Sequence, residues 1–186
     1  MIVASLKLAS PLLVSLAMLM GSLTSAFAGD QLTMTNVTGS SADCTRPASG
    51  GVCASLFPAG TPLSPGKTVS RQVTIGYHGG RTTSEFGLYA TDFETKSAQS
   101  AAFCTATDPA TKLDLLVRDG EEVLFSGTLA EFAGLHSNPQ SLLTVGGGQW
   151  KKGTSATFTF SVTLDVSADN PYMGCVSTAG LAWYAA

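Results

Sequence analysis

The chain has 186 residues, with ten Lys and Arg against thirteen Asp and Glu, a net charge of −3 and only 12% charged residues. No basic patch stands out along it, which argues against nucleic acid as a partner, because phosphate binding requires clustered cations. Thr, Ser, Gly and Ala are plentiful, so the expected surface is hydroxyl-rich rather than ionic.

Residues 1–28 read as a signal peptide. Lys7 supplies a positive start, residues 8–20 an apolar core, and Ala26-Phe27-Ala28 an A-x-A pattern that places the mature start near Gly29. A membrane anchor is the alternative, but the apolar run is short for a span, Pro11 interrupts it and no basic stop-transfer cluster follows. Residues 29–186 fit a single domain with material for a sizeable core. The expected product is secreted, with no membrane attachment after cleavage.

Strand signals then follow one another. Residues 32–38 make a short strand with Leu32 and Met34 on one side, and a Ser-, Gly- and Pro-rich loop runs from Gly39 to Pro65. Pro65-Gly66 turns the chain into a strand over 68–77, where Val69, Val73, Ile75 and Tyr77 share a face and Arg71 breaks the apolar alternation. Gly79-Gly80 closes that strand, and residues 85–93 give another. Leu113, Leu115 and Val117 alternate up to Asp119-Gly120, with Val123 and Phe125 beyond, which signals a two-residue hairpin turn. From Thr128 to Leu135 the apolar spacing is helical, and Thr128 with Glu131 reads as a capping box.

The clearest strand is 155–166. Ala156, Phe158, Phe160, Val162, Leu164 and Val166 point one way, and hydroxyl residues with Asp165 point the other. One dry and one wet face is the antiparallel case. A tight segment from Asp169 to Gly174 leads into 175–184, where Cys175, Ala179, Leu181 and Trp183 share a face. Many short strands, one short helix and no βαβ alternation predict an all-β fold: a two-sheet antiparallel β-sandwich, jelly-roll or Ig-like.

All four cysteines, Cys44, Cys53, Cys104 and Cys175, follow the cleavage site and read as two disulfides. Of the three connectivities, Cys44–Cys53 with Cys104–Cys175 is favoured: the first closes a short loop and the second ties the middle of the chain to its last strand. No C-x-x-C pair is present, and only His78 and His136 could add ligands, so both histidines read as solvated loop residues rather than zinc ligands. Neither H-E-x-x-H nor G-x-S-x-G occurs, so no catalytic residue and no cofactor is expected. Asp165 and Asp169 near Asn170 offer oxygens to calcium, although Asp169-Asn170-Pro171 more simply builds a turn through side-chain-to-backbone bonds. Asn36-Val37-Thr38 matches a glycosylation sequon but reads as strand sequence. Trp150, Tyr172 and Trp183 could stack on a sugar, with Tyr77, Tyr89 and Tyr184 in support, but a sandwich needs large residues between its sheets. Trp183 falls on the buried face, which leaves Trp150, beside Lys151-Lys152 in a turn, as the more exposed and weak ligand candidate.

Several segments together resemble the TasA/camelysin family of secreted bacterial β-sandwich proteins, which includes biofilm matrix fibre subunits. They are the leader, the short strand after it, LSPGKTVSRQVTIGY (63–77), LDLLVRDGEEVLFSGTLAEF (113–132) and GTSATFTFSVTLDVSADNPYMG (153–174). Pro65-Gly66 before a strand, the hairpin from Val123 to Leu129, and the turn with Asn170, Tyr172 and Gly174 carry the match. The four cysteines and the loop from Gly39 to Pro65 depart from the pattern. No zinc motif accompanies the peptidase label that camelysin brings, so that activity is not carried over.

The resemblance implies an extracellular subunit whose partner is a further copy of itself or another matrix or surface protein. Assembly would proceed by strand exchange, with the freed segment Leu32, Met34, Asn36 and Thr38 as the donor. The alternatives are a camelysin-like metallo-endopeptidase and a monomeric adhesin or glycan-binding module.

Overall fold

The computed structural model describes residues 14–18, 32–35, 57–97, 104, 106 and 108–186. Its strands in chain order are β1 (Val14–Met18), β2 (Leu32–Thr35), β3 (Phe57–Leu63), β4 (Thr68–Tyr77), β5 (Phe86–Ser97), β6 (Leu113–Asp119), β7 (Glu122–Thr128), β8 (Leu143–Thr144), β9 (Ser155–Leu164) and β10 (Cys175–Ala185). One helix, α1 (Leu129–Leu135), follows β7. All pairings are antiparallel. They form a five-stranded sheet in the order β2-β4-β9-β6-β7, a three-stranded sheet β10-β5-β8, and the pair β1-β3.

The two larger sheets make a sandwich: β4, β6 and β9 bury alternate residues, whereas β5 and β10 are buried continuously from Phe86 to Ala90 and from Ala179 to Trp183. Val73, Ile75 and Tyr77 of β4, Leu113, Leu115 and Val117 of β6, and Phe158, Phe160, Val162 and Leu164 of β9 line one side of the core. Phe86, Leu88 and Ala90 of β5 and Ala179, Leu181, Trp183 and Ala185 of β10 belong to the same core. The sheets meet at Phe158 and Trp183, whose ring centroids lie 4.8 Å apart. On the outer face of β4 and β9, cross-strand hydroxyls pair: Thr68 with Thr163 at 2.7 Å, Ser70 with Ser161 at 2.7 Å and Thr74 with Thr157 at 2.8 Å. Such pairs add modestly to the ladder and keep this face uncharged.

The helix begins where its sequence predicts. The Thr128 hydroxyl accepts from the Glu131 amide at 3.1 Å, while the Glu131 carboxylate accepts from the Thr128 amide at 2.7 Å. Leu129, Phe132 and Ala133 face the core and Leu135 is exposed.

Two details depart from expectation. Strand β9 stops at Leu164, so Val166 is 80% exposed rather than on the buried face. The cause is a local turn: the Asp165 carboxylate accepts from the Ser167 amide at 2.7 Å, which bends the chain away from the ladder. In the β6–β7 hairpin, Asp119 pairs with Glu122, so Gly120 (φ 58°) and Glu121 form the turn rather than Asp119 and Gly120. An extra residue, Leu124, lies between the partners of Val117 and Arg118, and beyond it Val123 is 47% exposed. As expected, Arg71 breaks the apolar row of β4: it lies opposite Phe160, half-buried, with Nη1 donating to the Ser70 carbonyl at 2.9 Å.

Candidate functional site

Strand β3 takes its hydrogen bonds from β1, in a register that places Val14 opposite Leu63 and Met18 opposite Phe57. Among the described residues, no other strand bonds to β3, and β1 also runs beside β10. Phe57 and Leu63 are fully buried, so the two ends of β3 are anchored in the core. The donor candidates Leu32 and Met34 lie in β2, paired with Tyr77 and Ile75 at one edge of the five-stranded sheet. Asn36, Thr38, Cys44, Cys53 and the 26–28 cleavage pattern lie outside the described residues.

Cys104 and Cys175 form a disulfide, with Cα atoms 4.9 Å apart. It joins the segment before β6 to the start of β10. Close by, Asn170–Tyr172 is a 3-10 turn and Gly174 sits at φ 74°. Backbone bonds close this turn, from the Tyr172 amide to the Asp169 carbonyl and from the Met173 amide to the Asn170 carbonyl, both 3.1 Å. The expected side-chain bond from Asp169 is not made.

Trp150 is not an exposed ligand platform. It is 2% exposed and stacks on Phe86, with centroids 3.9 Å apart and planes within 17°. The adjacent Lys151 and Lys152 are exposed, but Trp150 itself is drawn inward by Thr83, whose hydroxyl accepts from the Trp150 amide at 2.6 Å and donates to the Gly148 carbonyl at 3.0 Å. His136 also differs from expectation. Half-buried against Phe125 and Phe132, it holds the Ser141 carbonyl within 2.9 Å of Nδ1.

Beside the Gly147-Gly148 turn lies a groove of about 570 Å³ that the sequence did not announce. Its walls are the Pro139–Leu142 turn, the Gly147-Gly148 turn, Ser84, Glu85, Thr144 and Tyr184. Register explains the assembly, because Tyr184 pairs with Gly87 and Gly87 with Thr144 across three strands. A side chain at Gly87 would meet the Leu143 carbonyl at 2.5 Å and Leu142 Cβ at 3.1 Å, so only glycine lets the loop come this close. Gly146, Gly147 and Gly148 all have positive φ (56°, 69° and 77°), a conformation that disfavours other residues. These signals were legible only as loop composition: GGGQW and HSNPQS carry turn residues but not their meeting place.

A second, smaller recess of about 410 Å³ lies on the outer sheet face among Thr68, Asp114, Leu116, Ser126, Ser161 and Thr163. Desolvation pushes the Asp114 carboxyl above its ordinary value, with Asp165 and Glu131 adding repulsion. Asp165 is held below its ordinary value by the Ser167 amide and hydroxyl, and Lys112 lies 3.6 Å away. Among the described residues, no three His, Cys, Asp or Glu side chains gather as a metal site.

The fold places the chain in a definite class, an antiparallel two-sheet β-sandwich with one helix, one observed disulfide and a polar groove at the end of the smaller sheet. No family model and no curated protein matches the chain.

Proposed function

We propose that the chain is a secreted structural protein, a TasA-like surface or matrix fibre subunit that assembles by strand exchange. One observation supports this reading: the strand paired with β3 is Val14–Met18, inside the segment read here as a signal peptide. Export and cleavage near Gly29 would remove β1. Strand β3 would then keep its buried Phe57 and Leu63 but lose the partner for its backbone amides and carbonyls. Unpaired backbone groups beside a core are costly, and an open edge is a template for another chain.

The segment freed by the same cut, from Gly29 to Thr38, supplies a strand of suitable length and apolar spacing. Its pairing with β4 involves four residues at a sheet edge, so little holds it there. Head-to-tail insertion of this segment into the vacated seat of a neighbour does not close on itself and extends into a filament. Electron microscopy of residues 29–186 at rising concentration tests the reading, with residues 39–186 alongside. Filaments are expected from the first and not from the second. Filaments of unchanged form without residues 29–38 would rule out the donor mechanism.

A further inference from the structure

The groove between the Pro139–Leu142 turn, the Gly147-Gly148 turn and Tyr184 is built like a ligand site, and nothing in the strand-exchange reading uses it. We propose that it binds a neutral carbohydrate.

Size comes first: about 570 Å³ lies within the range of small-molecule sites and suits one or two sugar rings. The chemistry of the walls is selective. Among the described residues that line the groove, Glu85 is the only charged one, and none is Lys, Arg or His. An anionic ligand would therefore meet a carboxylate without a counter-charge, whereas sugar hydroxyls can donate to it. The exposed Gln140 carboxamide adds donors and an acceptor, and the exposed Thr144 hydroxyl adds both roles. Pro139, Leu142 and the half-exposed ring of Tyr184 offer apolar surface to the C–H faces of a pyranose.

The walls are also held in place before any ligand arrives. Thr83, 4% exposed, ties Gly148 to Trp150 with two hydrogen bonds, and the Gly148 amide donates to the Val145 carbonyl at 2.9 Å. On the opposite wall, Asn138 accepts from the Gln140 amide at 2.9 Å, Ser141 Oγ accepts from the Ser137 amide at 3.1 Å, and His136 anchors the Ser141 carbonyl. Loops already fixed by internal bonds lose little entropy on binding. By contrast the side chains of Glu85 and Gln140, both exposed residues of the lining, make none of these scaffolding bonds.

The test is an array of neutral oligosaccharides (gluco-, manno-, galacto- and N-acetylhexosamine oligomers) beside anionic uronate and sulfated ones, probed with the full chain. At least one neutral class should bind. Affinity should fall about tenfold or more in Glu85→Gln and in Tyr184→Ala, as loss of a charged hydrogen bond or a stacking face entails. Thr157→Ala on the opposite sheet should bind as the wild type. If Tyr184→Ala does not fold, Gln140→Ala, at an exposed turn, takes its place with the same expected loss. Binding confined to anionic glycans, binding to none, or binding unchanged in Glu85→Gln and Gln140→Ala would each overturn the proposal. None of these outcomes depends on whether the chain forms filaments.

Discussion

The indole of Trp150 lies face to face on the ring of Phe86, 3.9 Å between centroids, at the point where a glycine-rich turn meets the first residue of β5. Phe86 also stacks toward Trp183 at 5.8 Å, and Trp150 toward Phe158 at 6.4 Å, so four aromatic rings from four regions of the chain form one packed group. Through Thr83, which bonds both Trp150 and Gly148, the stack ties one wall of the groove to the centre of the sandwich.

That coupling makes Thr83 a structural residue of the groove. Its hydroxyl is buried and doubly bonded, so Thr83→Val keeps the shape but leaves the Gly148 carbonyl and the Trp150 amide unpaired. The expected loss is about 2 kcal/mol or more, because each buried orphan costs on the order of 1–3 kcal/mol. Urea unfolding followed by tryptophan fluorescence measures it. A variant as stable as the wild type would show that the bridge is dispensable.

Ser177 presents the opposite case. It is fully buried on β10, and among the described residues its hydroxyl has no hydrogen-bond partner. Ser177→Ala should be neutral or stabilising by about 1 kcal/mol, since it removes a buried polar group that gains nothing from the fold. A clear drop in the thermal transition would mean that the hydroxyl is satisfied in solution.

The disulfide should matter more than any single hydrogen bond. Cys104 and Cys175 are 71 residues apart in sequence, and a cross-link of that span restricts the unfolded chain by about 4 kcal/mol in the loop-entropy treatment. The Cys104→Ala/Cys175→Ala double variant should lose stability of that order in denaturant titration under oxidising conditions. Equal stability would indicate that the bond is not formed in the folded protein.

Two aspartates give opposite pH signatures. Asp165 titrates below the ordinary value of 3.8, so its stabilising effect is present above that pH and is lost as pH falls through its lowered value. Asp114 titrates above 3.8, so folding favours its protonated form, and its contribution is lost as pH rises through the raised value. At neutral pH, Asp165→Asn should lower the urea midpoint and Asp114→Asn should leave it equal or raise it. Both differences should vanish well below pH 3.8, where the wild-type carboxyls are protonated. Midpoints that move the same way in both variants would contradict this assignment.

Local patterns carried much of the fold. Alternation from Ala156 to Leu164 shows in the sequence because a strand buries every second residue, and the Thr128–Glu131 box shows because a helix start is a four-residue event. What escaped was set by distant partners. Nothing beside Trp150 marks it as buried, since the hydroxyl that draws it inward belongs to Thr83, 67 residues earlier. The groove is similarly hidden: Glu85, Gln140 and Tyr184 come from three separate stretches, and only the pairing of Tyr184 with Gly87 and Gly87 with Thr144 brings them together. The end of β9 was missed by two residues because apolar Val166 continued the period while Asp165 had already turned the chain.

The most direct measurement is backbone hydrogen exchange at Phe57–Leu63 in residues 29–186, followed from dilute to concentrated solution. If strand exchange operates, this strand, without residues 1–28, exchanges fast in dilute protein and becomes strongly protected once copies insert their N-terminal segments beside it. Protection that is already complete in the dilute monomer, or that never appears while filaments form, would contradict it.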